Sequence, residues 1–209
     1  FIALISGFTV YYHNQKKSEN LAWLLLNVSS AVWSFGYFTM ISTHIYQVAL
    51  WSNWILHQGA ILIAFFYFFF IVALTGLQKM HKSALAFFFG LAVLFSLLNP
   101  TAAFVRDVIP KFIFQYAPDA GPLYIYFTIY FFVAALYALF ILFKATRVAP
   151  TEEALRYKFV LISSLAGFIG GGSVFFLTFN INIPPFPIVF FSLYPIIITY
   201  AILKHRLFE

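Results

Sequence analysis

A chain of 209 residues that is 63% hydrophobic and only 9% charged is unlike a soluble domain, where these shares run near about half and about a quarter. That much apolar surface cannot be hidden in a fold of this length, so its solvent is lipid. The net charge of +6 sits in short connectors beside apolar segments, a pattern of membrane topology and not of a nucleic-acid face. The absence of cysteine excludes disulfides, thiol nucleophiles and thiolate metal sites.

In chain order the apolar stretches fall at 1–12, 21–43, 48–76, 84–98, 122–143, 157–180 and 186–203, which gives seven spans. The first is shorter than the roughly 20 residues a transmembrane helix needs, so that helix is expected to be truncated. It is not read as a signal peptide, since no small-residue cleavage site precedes His13. Connectors after spans one, three, five and seven hold ten of the 12 basic residues. Arg106 and Lys111 alone lie on the other side. The positive-inside rule then puts the N-terminus outside and the C-terminus in the cytoplasm. The expected fold is an all-α membrane protein, a seven-transmembrane helix bundle.

All six acidic residues lie in connectors or at the chain end, so no span carries a charge in its interior. Proton pumps, ion-coupled transporters and voltage sensors need such groups. A retinal pigment needs a membrane lysine, and the last span has none before Lys204. No internal repeat points to a duplicated transporter. The glycines of span six lie inside a hydrophobic helix and are no phosphate loop. Ser163, Gly167 and Gly171 follow the small-xxx-small spacing that lets helix backbones approach. The sequon Asn27-Val28-Ser29 lies within span two and is not a glycosylation site.

Polar and aromatic residues gather in the outer half. In span two Asn27, Ser30, Ser34 and Tyr37 recur on one helical face with Trp33 at its border. Span three contributes Trp54, His57 and Gln58; span five Tyr126 and Tyr130; span six Thr178 and Asn180. Trp51 and Tyr124, at the boundary, fit the interfacial aromatic belt. His57 and Gln58 lie deeper, where an unsatisfied polar group costs several kcal/mol, so they need partners in neighbouring helices or in a ligand. The candidate site is therefore an outer-half pocket formed by Trp33, Tyr37, Trp54, His57 and Gln58, with Tyr126, Tyr130, Thr178 and Asn180 opposite. It would take a small, largely apolar molecule. A lone membrane histidine makes no metal site, and no metal, cofactor or catalytic residue is expected.

The connector at 99–121 opens on Asn99-Pro100, a helix stop. Alternation from Lys111 to Tyr116 predicts a short hairpin over the bundle mouth. In span seven, Pro195 lacks a backbone donor and is expected to kink the helix. The kink would form a hinge between a ligand-facing half and an output end that carries Tyr200, Lys204 and Arg206. Ending on Leu207-Phe208-Glu209 without a cap, the helix is expected to lead into an output domain beyond residue 209.

Taken together, the run Ala31-Val32-Trp33-Ser34-Phe35-Gly36-Tyr37, Asn99-Pro100, Gly121-Pro122-Leu123 and the exit Tyr200 to Glu209 resemble a known family. It is the seven-helix membrane region at the N-terminus of many bacterial sensor histidine kinases. The resemblance covers nearly the whole chain. It implies a multi-pass sensory module in the bacterial cytoplasmic (inner) membrane, followed by a cytoplasmic kinase or, in some members, a cyclic-dinucleotide enzyme. It also implies a homodimer in the full protein, with the lipid bilayer and a small-molecule ligand as partners. A transporter or channel for a small neutral molecule is the other class. It would need a path through the inner half, where Phe and Leu are bulky.

Overall fold

The computed structural model describes residues 2–181, 183, 185–192 and 194–198. Its described residues include the α-helices α1 (Ile2–His13), α2 (Ser18–Ser42), α3 (Tyr46–Leu74), α4 (Lys82–Leu98), α5 (Tyr124–Val148) and α6 (Thr151–Thr178). Two antiparallel strands, β1 (Val105–Lys111) and β2 (Phe114–Ala120), stand between α4 and α5. A 3₁₀ segment covers Phe186–Ser192, and an α-helical stretch covers 194–198. Among the described residues α2, α3, α5 and α6 are long and apolar enough to cross a bilayer. At 17 and 12 residues, α4 and α1 are shorter.

Helix ends follow local chemistry. At the start of α6, Glu152 and Glu153 occupy the first turn, where carboxylates complement the positive end of the helix dipole. This carries the helix six residues ahead of the expected start at 157. α3 closes on Gly76, which adopts φ +68°. There Leu77 N–H donates to Val72 O at 2.9 Å and Gly76 N–H to Ala73 O at 3.0 Å, a Schellman cap. The same cap ends α6, with Asn180 at φ 59° in the left-handed position. Ile181 N–H donates to Phe176 O at 2.9 Å and Asn180 N–H to Leu177 O at 3.2 Å.

The tightest helix pair is α2 with α3. A Cβ on Gly59 would stand 2.4 Å from the Trp33 amide nitrogen, and one on Gly36 would stand 2.4 Å from that of Leu56. Buried Ala22, Ser29 and Gly36 recur every seven residues along α2, as do Ser52 and Gly59 along α3. This is the repeat that keeps one seam of small residues facing a neighbour in left-handed packing.

The hairpin makes the fold more than all-helical. Its turn also differs from the sequence expectation, because the alternating stretch Lys111 to Tyr116 contains the turn itself. Lys111 pairs with Phe114 across Phe112 and Ile113, and Phe112 takes φ 55°. The hairpin is tied to the α2–α3 connection by Tyr46 Oη donating to Asp107 Oδ1 at 2.7 Å and by His44 Nδ1 with Gln115 Oε1.

The last segment corrects a second expectation. Instead of one helix kinked at Pro195, the chain is 3₁₀ before 193 and α-helical over 194–198. Pro195 thus stands in the first turn of the described helical stretch, where its fixed φ suits a helix start. Pro185 and Pro187 begin the segment and disfavour an α-helix from the outset. Tyr200, Lys204 and Arg206 lie outside the described residues.

Candidate functional site

Between α2, α3, α5, α6 and the 186–198 segment lies a cavity with about 60 Å³ of room for water-sized groups. Pro118 of β2 stands at its hairpin end; Trp23, Phe70 and Ile198 lie at the other. It therefore runs well past the outer half in which the sequence put the site. Among the described residues, no Asp, Glu, Lys or Arg lines it.

Three of the expected ligand contacts reach this cavity: Trp33, His57 and Thr178. Trp33 packs its ring 4.7 Å from that of Phe191 and stacks on Tyr37 at 5.6 Å. Tyr37 is thereby buried behind Trp33 and not in the wall. His57 is 2% exposed, and both its ring nitrogens are engaged. Nδ1 lies 2.9 Å from Asn53 O and Nε2 lies 3.0 Å from the Tyr124 hydroxyl. A carbonyl can only accept, so Nδ1 carries the proton and Nε2 accepts from Tyr124. Thr178 Oγ1 donates to Val174 O at 3.2 Å.

The other expected contacts point elsewhere. Gln58 Nε2 donates to Ser96 Oγ of α4 at 3.0 Å. Trp54 offers its carbonyl to Asn99 Nδ2 at 2.8 Å. Tyr130 Oη donates to Ile61 O at 3.0 Å in the α3–α5 seam. Tyr126 is 60% exposed on the outer surface of α5, two residues from the buried Tyr124 and so about 200° around the helix from it. Asn180 Nδ2 donates to Asp119 Oδ1 at 3.1 Å.

That last contact belongs to a charged latch at the cavity mouth. Lys111 Nζ donates to Pro118 O at 2.6 Å and to Asp119 Oδ1 at 3.3 Å. It also caps α6, donating to Leu177 O at 3.2 Å and Thr178 O at 3.1 Å. Burial pulls the Lys111 ammonium below its usual range, against the pull of Asp119. For Asp119 burial pushes upward, but hydrogen bonds from Asn180 and Lys111 prevail and hold its carboxyl below the usual value. The latch holds Pro118 in place over the cavity.

The exit segment forms one wall through Phe191, Tyr194 and Ile198. Tyr194 Oη lies 3.0 Å from Ser30 Oγ and 3.4 Å from Asn27 Oδ1. Ser30 gives its own proton to Leu26 O at 2.9 Å, so Tyr194 donates across to α2. The small-residue face of α6 meets this segment, but not as Ser163, Gly167 and Gly171 suggested. The backbones touch at Gly170, where a Cβ would lie 2.6 Å from Phe191 N and 2.7 Å from Pro187 O. Gly167 and Gly171 instead give ordinary 3.4 Å contacts to Tyr194 and Phe191 side chains, while Ser163 bonds Phe159 O at 2.6 Å.

The family model for the N-terminal 7TM region of histidine kinase matches residues 1–209. The chain belongs to this family. No curated protein and no solved structure matches it. The polar residues that sequence reasoning passed over are Tyr67, Ser164 and Tyr194, together with Tyr124, which is buried in the cavity wall and not part of an interfacial belt. Tyr67 carried a signal, being the one hydroxyl in the run Phe65 to Val72.

Proposed function

We propose that this chain is the sensory input region of a bacterial histidine kinase, holding a small, largely apolar ligand in its cavity. The signal passes through the exit segment to a cytoplasmic kinase, and the full protein works as a homodimer in the inner membrane. The observation that carries the reading is that Phe191, Tyr194 and Ile198 form a wall of the cavity. A molecule that fits one arrangement of that wall better than another shifts their populations by its differential affinity. The segment holds a 3₁₀ stretch over 186–192 and an α-helical one over 194–198, two pitches between which it could shift. The test is Ala60→Phe, which fills the cavity from α3, in a chain carrying a histidine-kinase catalytic region after residue 209. Autophosphorylation in vesicles is expected to become fixed and insensitive to added ligand. A normally responsive variant would overturn the reading.

The N-terminus is outside and the C-terminus cytoplasmic in this reading, supported by ten of the 12 basic residues falling on one side. Reporter fusions at Lys79, Lys144 and Glu209 are expected to behave as cytoplasmic, and a fusion at Asp119 as external. A cytoplasmic signal from Asp119 would reverse the topology and move the latch to the wrong side.

A further inference from the structure

The cavity's two ends differ in what they leave unpaired. At the hairpin end the polar atoms are engaged within the protein: His57 by Asn53 and Tyr124, and Thr178 by Val174. The Lys111 ammonium at the mouth is already matched by Asp119. Deeper in, the Tyr67 hydroxyl is buried and makes no hydrogen bond of normal geometry, with the Ser164 hydroxyl beside it. Both residues line the cavity, and so do Ser30 and Tyr194 across from them. A phenol closed off from water and unpaired is unfavourable by the full desolvation cost of that group. A ligand that supplies its partner recovers that cost.

From this geometry we infer the ligand's chemical class: an uncharged molecule of about five non-hydrogen atoms, apolar except for one hydroxyl or carbonyl, which meets Tyr67 and Ser164 in the deep half. The size follows from the cavity's about 60 Å³, given that each water-sized group needs roughly 10–15 Å³ of such room. The neutrality follows from walls that hold no charged side chain among the described residues, since an ion moved there would lose its hydration with no counter-charge. The polar group lies inward because, among the described lining residues, the unpaired hydroxyl is that of Tyr67. The inference rests on the reading of this cavity as the ligand site, and it names what that site recognises.

Trp23 and Trp33 line the cavity, so a brominated ligand reports its own arrival by quenching them. The experiment uses the chain in lipid nanodiscs with Trp51→Phe and Trp54→Phe, which leaves only those two reporters. The probe is 3-bromo-1-propanol, and the chain has no cysteine for it to alkylate. Quenching is expected to saturate and to be reversed by 1-butanol and 2-butanone. Butyrate and butylammonium at equal concentration are expected to leave it unchanged. Tyr67→Phe is expected to weaken 3-bromo-1-propanol about tenfold, the loss of one buried hydrogen bond, while 1-bromobutane quenches wild type and variant alike. If Tyr67→Phe does not fold by circular dichroism, Ser164→Ala serves as the second variant, with the same direction expected.

Linear, non-saturating quenching, displacement by butyrate, or unchanged alcohol affinity in the variant would each overturn the inference. The kinase-bearing chain separates the two readings. Saturable, alcohol-selective binding without any change in autophosphorylation would keep the ligand class and remove the sensory role. A kinase that responds to butyrate but not to butanol would keep the role and remove the class.

Discussion

Two helix interfaces in this molecule are built on glycine, and they do opposite things with it. Between α2 and α3, Gly36 and Gly59 bring backbone against backbone, and the adjoining small residues leave no room. Between α6 and the exit segment only Gly170 makes that approach. Gly167 and Gly171 face the rings of Tyr194 and Phe191 and help wall a cavity. The first interface has one way to pack, since any added atom meets main chain. The second is made of side chains over a void, which can rotate without moving a helix axis. Under the sensory role proposed above, the α2–α3 pair would be the frame that stays still, and the 186–198 segment against α6 the part that moves.

The sharpest way to break this comparison is one β-branched residue in each seam. Gly59→Val puts a side chain where even a Cβ would be 2.4 Å from Trp33 N. Its cost is expected beyond about 3 kcal/mol, with most folded protein lost in detergent. Gly170→Val meets backbone too, but that of a short 3₁₀ segment beside a cavity, which can shift. Its cost is expected at about 1–3 kcal/mol, with the α2–α3 pair still protected from hydrogen exchange. Thermal unfolding with exchange on both variants checks the order. Equal losses would mean the exit segment is as much frame as α2 and α3.

Much of this was legible in the sequence, for reasons that show where the rest was hidden. Lipid as solvent fixes apolar length and confines charge to connectors, so the helices α2, α3, α5 and α6 lie within a few residues of the expected spans. Even the set of elements around the cavity follows from the polar stripe of α2 and the aromatic enrichment of its neighbours. Which atom bonds which does not. Gln58 and Tyr130 share the depth of His57, yet they turn to α4 and α3, because each further residue swings the side chain about 100° around a helix and so changes its partner. Tyr126 shares the polarity of the true wall residues and faces outward. The frame glycines escaped because their period is seven and not four. Span seven escaped because Pro185 and Pro187 favour a tighter helix than its hydrophobicity alone suggests.

The latch sharpens the comparison from the hairpin side, because it fastens β2 to the end of α6. With its carboxyl held below the usual 3.8, Asp119 favours the folded state as the carboxylate. That contribution is complete above the ordinary carboxylate range and is lost as pH falls through the lowered value. Lys111 runs the other way. Its depressed folded value means the unfolded chain holds the proton more tightly, so raising pH toward 10.5 does not weaken the fold through this group. Hydrogen exchange in β1 and β2, corrected for intrinsic rates, is expected to quicken on acidification below the ordinary carboxylate range and to stay slow on the alkaline side. Asp119→Asn is expected to open the hairpin already at neutral pH, by about 1.5 kcal/mol or more, and to flatten the acid response. An acid response that survives in Asp119→Asn would assign it to another group.

The smallest expected effect is the one that bears most directly on movement. Tyr194 donates from the exit segment to Ser30 and Asn27 of α2. Removing the hydroxyl by Tyr194→Phe leaves the ring against Gly167 and Trp23, so packing is preserved. The loss in stability is expected near about 0.6 kcal/mol, the usual scale of a bond between membrane helices. Its effect on signalling should be larger than its effect on stability. A bond present in only one arrangement of the segment sets the ratio of the two, and 0.6 kcal/mol shifts that ratio by about threefold. Autophosphorylation without ligand is therefore expected to move by about that factor, while melting of the variant stays within a few degrees of wild type. Basal output identical to wild type would show that Tyr194 keeps its bond in both arrangements, and that it belongs to the frame.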